Sequence, residues 1–363
     1  MNSDKKSIDV SSISHATSDS DPGISVVVPC RNERCEIENA VLSILSQEPP
    51  PGGFEVIVAD GMSDDGTRII LSKLAEESDR LRIVDNPAGI VPTALNIAIR
   101  QARGNIIIRM DAHTGYAPDY IRRCVEALTE TAADNVGGPW VARGQGLIGR
   151  AISAAFESPF CAGGARGHDP NYSGPVDTVY LGCWRREVFA KVGLFDEELV
   201  RNQDDEFNLR LTRAGGKIWQ SAKIKSWYTP RDSVAALFRQ YVQYGYWKVR
   251  VIQKHKAPAS LRHLVPGTFV LLIIILPMIG LAWSPAQWMW LGLLGAYAVC
   301  NTTVSLIAAP GENKKLFPSL MIVFAVFHFA YGYGFLRGIW DFIIMRRRPA
   351  SKYTMLTRPS TGF

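Results

Sequence analysis

The sequence predicts an α/β domain built on an open parallel sheet, followed by an α-helical membrane region. Apolar runs rich in β-branched residues begin at Ile24, Phe54, Leu81 and Ile106, a spacing of roughly 24 to 30 residues that is typical of βαβ units. The stretch 264–340 is nearly uncharged, whereas the part before it mixes both signs of charge as soluble enzymes do. These observations together predict a soluble domain attached to a membrane.

Each apolar run is predicted to be a buried parallel strand, over 24–28, 54–59, 81–84 and 106–108. Helical patterns over 36–46, 67–77 and 93–103 separate the strands, with Pro92 suited to a first helical turn and Gly104 to a helix end. Right-handed crossovers would place the strands in one sheet with helices on its faces. Ligands of such sheets bind beyond the carboxyl ends of the strands, so function is expected there.

Composition divides the chain into five parts. Residues 1–22 are rich in Ser and Asp without an apolar core, so they are predicted to be a disordered tail rather than a secretion signal, which leaves the soluble domain in the cytoplasm. The α/β domain is expected over 23–232, an interfacial amphipathic helix over 233–262, a transmembrane region over 263–345 and a basic tail over 346–363.

Cysteine usage and charge narrow the class of protein. The six cysteines have neither paired metal-site spacing nor the density of a disulfide scaffold, which suits a reducing compartment. The net charge of +6 is modest, and the basic residues are not interleaved with exposed aromatic residues in one motif. We therefore expect no nucleic-acid partner.

Two membrane spans are predicted over 264–283 and 287–309, each long enough to cross roughly 30 Å of hydrocarbon. If the α/β domain is inside, the first span leads out and the second returns, which puts Lys314 and Lys315 inside, as the positive-inside rule prefers. A third span over 316–340 would put Arg346 to Arg348 outside, so a re-entrant or interfacial segment is the alternative. The expected count is two to four.

Three polar clusters follow the predicted strands. They are PCRNE at 29–33, DGMSDDGT at 60–67 and RMDAH at 109–113. Capping of the helix at Thr67 explains Asp64 or Asp65 about as well as ligand binding does. The joint occurrence of three clusters at one sheet edge is much harder to explain by capping.

The order of these clusters, followed by NQDDEFNLRL at 202–211, resembles glycosyltransferase family 2. The resemblance spans about 24–250. It implies the GT-A fold, a Rossmann-like domain of nucleotide-diphospho-sugar transferases. The motifs DAH, NQDDEF and QYGYWK are most similar to those of ExoA-type glucosyltransferases of succinoglycan exopolysaccharide synthesis.

The resemblance assigns the donor and metal residues. It implies that Pro29, Arg31 and Glu33 line the nucleoside pocket, that Asp60 reads the base, and that Asp111 binds the donor. Asp111 and His113 occupy the family's DxD position, which holds a divalent ion. Imidazole in place of the second carboxylate favours Mn²⁺ and still allows Mg²⁺. The alternative for His113 is a supporting or structural histidine.

An inverting transferase also needs a carboxylate to take the proton of the attacking hydroxyl. Residues 203–210 match the family's ED-x-D/E-L-x-x-R pattern, which puts Asp204 at the catalytic base, with Asp205 as the competing candidate. Gln203 departs from the usual Glu. Glu206 and Arg210 are four residues apart on a helix, so a structural ion pair is favoured for them.

Acceptor contacts are expected in two places. The segment 177–186 resembles the family's acceptor wall, with Gly182, Cys183 and Trp184 at its centre and Gly182 allowing close backbone approach. Residues 243–247 resemble the QxxRW motif with Tyr in place of Arg, which makes Gln243 and Trp247 acceptor contacts or packing residues. The Gly-rich run 163–168 is either a mobile loop over the donor or a plain surface loop.

The expected function is inverting transfer of a hexose, favoured to be glucose, from a UDP-sugar to a polyprenyl-diphosphate-linked saccharide. The enzyme would act at the cytoplasmic face of a bacterial-type inner membrane, in contact with lipid and with other polysaccharide-assembly proteins. Two alternatives were weighed. A non-catalytic nucleotide-sugar-binding scaffold would tolerate the departures at His113, Gln203 and Tyr246. A nucleotidylyltransferase should carry a Gly-rich nucleotide loop with basic residues, and none follows Pro29.

Overall fold

A computed structural model describes residues 22–309 and 311–355 of the chain. The tail predicted over 1–22, apart from its last residue, and the end of the basic tail predicted over 346–363 lie outside the described residues.

Eleven strands are found in the described part of the chain. They are β1 Ile24–Cys30, β2 Phe54–Asp60, β3 Leu81–Asp85, β4 Ile106–Arg109, β5 Thr114–Tyr116, β6 Asn135–Gly138, β7 Val141–Ala142, β8 Gly174–Pro175, β9 Tyr180–Arg185, β10 Ile218–Gln220 and β11 Ser226–Tyr228. Eight form one sheet in the order β3-β2-β1-β4-β9-β6-β10-β8, and β5-β11-β7 form a second, small sheet.

The four predicted strands are confirmed as β1 to β4, and they are parallel to one another. The larger sheet as a whole is mixed, because β9 runs antiparallel to both β4 and β6. The expectation that the four predicted strands share one sheet is confirmed, and the antiparallel strand β9 was not predicted. The carboxyl ends of β1, β2 and β4 meet at one edge, as the parallel arrangement requires.

The α-helices of the described residues follow in chain order. They are α1 Ile37–Leu45, α2 Thr67–Glu76, α3 Val91–Gln101, α4 Tyr120–Thr131, α5 Gly146–Phe156, α6 Pro159–Ala162, α7 Arg186–Val192, α8 Gln203–Arg213, α9 Val234–His255, α10 Val265–Gly280, α11 Ser284–Ile307 and α12 Phe317–Gly338. The three helices predicted between strands are confirmed as α1 to α3 with small shifts at their ends.

Helices cover both faces of the large sheet because side chains alternate along a strand. In β1, Val26 and Val28 pack into a core that contains Ile37, whereas Val27 packs into the opposite core with Leu95. Both faces of β1 are therefore buried, which explains its continuous apolar sequence.

In the described part of the chain, three helices are long and apolar enough to cross a membrane. This number lies within the predicted range of two to four spans. These candidate spans are Leu261–Gly280, Ser284–Ile307 and Lys314–Ile344. The third differs from the others, since 56% of its most apolar window is buried in protein against 22% and 11%. It consists mainly of α12, and α12 runs beside α9.

Candidate active site

A cavity of about 670 Å³ opens at the carboxyl ends of β1 and β4 and extends to α9, α10 and α12. Its strand-side wall contains Pro29, Arg31, Glu33, Asp111 and His113. The start of α8 contributes Asp204 and Asp205. One enclosed space thus contains the predicted metal ligands, both candidate bases and three predicted donor residues.

Arg109, the last residue of β4, joins the two central carboxylates. Its Nε and Nη2 donate to the two oxygens of Asp111 at 2.8 and 2.9 Å, and its Nη1 donates to Oδ1 of Asp204 at 2.6 Å. The guanidinium is almost fully buried, and the Asp204 side chain is 38% exposed to the cavity. Arg109 therefore holds a residue of the strand edge and a residue of α8 at a fixed separation.

Burial and the charges of this cluster shift the pKa values of its members. Burial lowers the pKa of the Arg109 guanidinium, but the negative charges of Asp111 and Asp204 raise it by more, so the group stays charged. Burial is also the main reason that the pKa of Asp204 is raised, with Asp111 and Asp205 adding to the effect and Arg109 opposing it. A carboxylate with a raised pKa is the better proton acceptor, as a general base requires.

Asp205 has the opposite character. Its Oδ2 accepts a hydrogen bond from Nζ of Lys248 at 2.5 Å. Burial raises the pKa of Asp205, but Lys248, His263 and Arg262 together lower it by more, and the net shift is downward. Because its charge is neutralised by a fixed cation, Asp205 is the weaker candidate for the base.

His113 and Asp111 supply oxygen and nitrogen donors to the same cavity. Nδ1 of His113 lies 3.3 Å from Oε1 of Glu33, and both side chains are partly exposed. Within residues 22–309 and 311–355, no group of three His, Cys, Asp or Glu side chains is arranged to hold a metal ion by itself. The donor set fits a divalent ion whose remaining ligands come from a bound diphosphate and water.

The loop after β1 forms part of the strand-side wall of the cavity. The Arg31 side chain extends from this loop to the segment after β3, where its Nη1 donates to the carbonyl of Gly89 at 3.0 Å. Asp60 lies at the same edge but is fully buried, and its carboxylate accepts hydrogen bonds from Ser63 and Arg68. The structure therefore places Asp60 behind the cavity wall, where it holds the turn after β2.

Asp64 and Asp65 have local roles. Oδ1 of Asp65 accepts hydrogen bonds from the backbone N–H and hydroxyl of Thr67 at 3.0 and 2.5 Å. Asp64 accepts a bond from the side chain of Asn32 at 2.9 Å. The capping alternative thus accounts for Asp65, whereas Asp64 joins the loop after β2 to the loop after β1 through Asn32.

The predicted acceptor segment turns inward. Cys183 and Trp184 are buried, and the Trp184 indole packs among Phe189 and Phe207. A Cβ on Gly182 would lie 2.3 Å from the Trp184 ring, so this glycine makes room for the indole. The structure does not bring these three residues to the cavity. The cavity is instead lined by 178–181, just before them.

Gln243 and Trp247 also lie away from the cavity wall. Oε1 of Gln243 accepts a hydrogen bond from Nε of Arg201 at 3.1 Å, and the Trp247 indole donates to the carbonyl of Tyr353 at 2.9 Å. Their contacts agree with the packing alternative. Gln243 reaches the site only through Arg201, which does line the cavity.

Two further expectations concern residues near the site. The structural ion pair is confirmed, because Nε of Arg210 lies 2.7 Å from Oε1 of Glu206. In the Gly-rich run, Gly163, Gly167 and His168 line the cavity, so this loop is a wall of the site.

Several cavity residues were not predicted. Arg109 had a signal, since it is a lone cation at the end of an apolar strand. Lys248 lies in the predicted interfacial helix over 233–262, and that pattern did not indicate a role in the site. An aromatic wall had no signal, because its members come from separate elements. Trp140 stacks on Tyr180 with ring centres 5.4 Å apart, and Tyr228 packs edge-on against both.

Comparison with known proteins agrees with this geometry. Residues 25–193 match the family "Glycosyl transferase family 2". The chain is 32% identical to the succinoglycan biosynthesis protein ExoA of Rhizobium meliloti over 90% of this chain and 96% of that protein. It is 25% identical to a dolichyl N-acetyl-alpha-D-glucosaminyl phosphate 3-beta-D-2,3-diacetamido-2,3-dideoxy-beta-D-glucuronosyltransferase of Methanococcus voltae, over 87% of this chain and 97% of that protein.

A solved structure shares the fold. The mannosyltransferase PcManGT of Pyrobaculum calidifontis, in complex with GDP-Man and Mn²⁺, superposes with a TM-score of 0.54 at 19% identity. The match covers 93% of this chain and 91% of that one.

Proposed function

The chain belongs to glycosyltransferase family 2, and from this premise we propose that it transfers a hexose, with inversion, from a UDP-sugar to a polyprenyl-diphosphate-linked saccharide. It is a glycosyltransferase of polysaccharide biosynthesis with a GT-A fold. Glucose is the favoured hexose, because the motifs of this chain resemble those of ExoA-type glucosyltransferases. The observation that carries the proposal is the Arg109 bridge, which gathers Asp111 and Asp204 in one cavity.

Asp204 is the catalytic base in this proposal. The acceptor hydroxyl attacks the anomeric carbon, its proton passes to Asp204, and the bond from that carbon to the diphosphate breaks. Attack on the face opposite the leaving group inverts the anomeric configuration. The raised pKa of Asp204 suits this role, and the ion pair of Asp205 with Lys248 makes Asp205 less suitable.

Asp111 and His113 would hold a divalent ion together with the donor diphosphate. When bound, such an ion would supply Lewis-acid stabilisation of the departing nucleotide diphosphate. The Mn²⁺ and GDP-Man bound by the related mannosyltransferase support a divalent ion and a nucleotide-diphosphate donor. The imidazole of His113 favours Mn²⁺ over Mg²⁺. Pro29, Arg31 and Glu33 hold the nucleoside on the strand side of the cavity.

The acceptor enters from the membrane side. The cavity reaches Val265 and Pro266 at the start of α10 and Phe327 in α12, so an apolar chain has a path from these helices to Asp204. The name of the Methanococcus relative describes transfer to a dolichyl-linked sugar phosphate. This supports a lipid-linked acceptor here, presented at the cytoplasmic face of the inner membrane.

We propose that α10 and α11 cross the bilayer and that α12 lies along the enzyme domain. A Cβ on Gly334 of α12 would lie 2.0 Å from the carbonyl oxygen of Val242 in α9, and one on Gly338 would lie 2.7 Å from that of Tyr246. The start of α12 packs against α5 through Leu320. These contacts of α12 with the enzyme domain support a C-terminus on the cytoplasmic side. A C-terminal reporter that is active only outside would contradict this topology.

The function is tested by incubating membranes that contain the full chain with a panel of radiolabelled UDP-sugars and extracting polyprenyl products. We expect transfer from one UDP-hexose, lost on chelation and restored by Mn²⁺ more fully than by Mg²⁺. The Asp111→Asn variant is the negative control. Label in no lipid fraction with any UDP-hexose, while protein and membranes remain intact, would overturn the proposed donor and acceptor.

A further inference from the structure

We propose that four cations, Arg201, Arg231, Lys248 and Arg262, form a second anion site that receives the diphosphate of the lipid-linked acceptor. The inference rests on the proposed function and deepens it, since it assigns the acceptor's charged group to four cations of which only Lys248 lies in a motif. The donor's diphosphate belongs to Asp111 and His113 at the strand edge. The two anions would thus bind on opposite sides of Asp204.

All four cations line the same cavity as Asp204 and come from separate elements. Arg201 precedes α8, Arg231 precedes α9, Lys248 lies within α9, and Arg262 precedes α10. Residues so distant in sequence converge on one cavity only through the fold. The same cavity also reaches Val265 and Pro266 at the start of α10.

The charge of the cavity favours an anionic ligand. Its lining carries six Arg and Lys side chains against four Asp and Glu side chains, and three of those acids belong to the strand edge and the base. On the α9 side, Lys248 contacts Asp205 and Arg262 contacts Asp177. Several cations that line one cavity attract an anion, so a bound diphosphate would stabilise this cluster.

Arg201 is held in an orientation suited to binding phosphate. Its enclosure in the cavity lowers the pKa of the guanidinium, and the groups that oppose the shift are the hydroxyls of Tyr244 and Tyr228. Arginine stays charged at neutral pH all the same. Its Nε is held by Gln243, which orients the planar group. A guanidinium of this kind is suited to bidentate binding of phosphate oxygens.

The walls beyond the cations identify what the anion is attached to. Phe160, Phe327 and Tyr331 continue the cavity together with Val265 and Pro266, where α10 enters its apolar stretch. An anion bound at the cations therefore has an apolar continuation on one side and Asp204 on the other. This order matches a lipid diphosphate that carries the accepting sugar.

The test uses the full chain in detergent, with farnesyl diphosphate as the acceptor probe and UDP with Mn²⁺ as the donor probe. Farnesyl diphosphate is titrated in the presence of a chelator, so that a metal-dependent site cannot hold it. We expect Arg201→Gln and Arg231→Gln each to weaken farnesyl diphosphate binding roughly 10-fold to 100-fold, as loss of a charge-assisted hydrogen bond predicts. UDP binding should be unchanged in both variants.

Two controls separate this inference from the proposed function. Arg100→Gln removes an exposed arginine of α3 outside the cavity and should change neither titration. Asp111→Asn should lose UDP binding and keep farnesyl diphosphate binding. If Asp111→Asn leaves UDP binding intact, the proposed donor site is wrong whatever the acceptor probe shows.

Three results would overturn the second site. They are farnesyl diphosphate affinity that is unchanged in both arginine variants, affinity that Asp111→Asn abolishes, and displacement by phosphatidylglycerol micelles as effective as that by farnesyl diphosphate. The last result would mean a general headgroup site. Arg201→Lys guards against misfolding, since it keeps the charge and should restore part of the affinity if the site is electrostatic.

Discussion

The two sides of the cavity differ in how they are built. On the proposed donor side, Pro29 lies in β1, and Arg31 and Asp111 come just after the ends of β1 and β4, so their positions are fixed by backbone hydrogen bonds within one sheet. On the proposed acceptor side, Arg201 and Lys248 come from a loop and from α9, which are joined by side-chain contacts such as the hydrogen bond from Nε of Arg201 to Gln243, and α9 in turn packs against α12. The sheet therefore positions the residues of the proposed donor side, whereas the residues of the proposed acceptor side depend on packing against the membrane helices.

The difference suggests how each side can vary. A strand edge tolerates little change, because a shift of one residue reverses the direction of every side chain. Packed helices allow other side chains to reach the same space, so acceptor preference can change without loss of the donor site. Arg109 connects the two sides, since it contacts both Asp111 and Asp204.

The largest effect is expected from Asp204→Asn. Loss of the base should lower kcat about 10²-fold to 10⁴-fold, while UDP affinity measured by titration stays unchanged. The matched variant is Asp205→Asn, on the next residue of the same helical turn. It should retain most of the turnover, because the charge of Asp205 is already neutralised by Lys248. Equal losses in the two variants would make Asp205 as good a candidate for the base.

The two sides were not equally predictable from sequence. The strands β1 to β4, the helices α1 to α3 and the cluster at Asp111 follow from local periodicity and from motifs at strand ends. Trp184 was wrongly expected at the acceptor because a motif does not state which face of β9 its side chain occupies. The wall at Arg231 and Arg262 depends on how α9 and α10 pack, which no local pattern encodes.

The next effect tests the connection between the two sides. Arg109→Met should raise the pKa of Asp204 further, because an attractive positive charge is lost and Asp111 remains nearby. The base must be deprotonated, so the acidic limb of the kcat/KM profile should move to higher pH by the same amount. Arg109→Lys keeps the charge and should shift the limb less. An unmoved limb in Arg109→Met would mean that Arg109 does not control the base.

A smaller effect is expected where α9 and α12 touch. Gly334→Ala forces a methyl group against the carbonyl oxygen of Val242 and should cost about 1 to 3 kcal/mol of unfolding free energy, as overpacking does. The matched control is Gly292→Ala in α11, where an added Cβ meets nothing within 4 Å. Thermal unfolding in detergent compares the two. Equal stability would mean that this crossing is looser than the structure shows.

The smallest effect is expected at Glu55, which joins β2 to Arg82, Arg103 and Ser25 at the strand ends opposite the cavity. Burial raises the pKa of Glu55, but its hydrogen bonds to Ser25 and Arg103 and the charge of Arg82 lower it by more. Because the folded pKa is below the unfolded value, this stabilisation is present above that unfolded value, about 4.3, and is lost as pH falls through the folded pKa.

Glu55→Gln should therefore cost about 0.2 to 1 kcal/mol at neutral pH, since both arginines are at least one-third exposed and solvent weakens such pairs. The difference from the unsubstituted chain should vanish on acidification, as measured by denaturant unfolding at several pH values. Turnover and its pH profile should not change, because Glu55 lies at the far ends of the strands whose near ends carry Arg31 and Asp111. A changed pH profile would show that the two ends of the sheet are coupled, and the donor side would then not be the rigid half of the comparison.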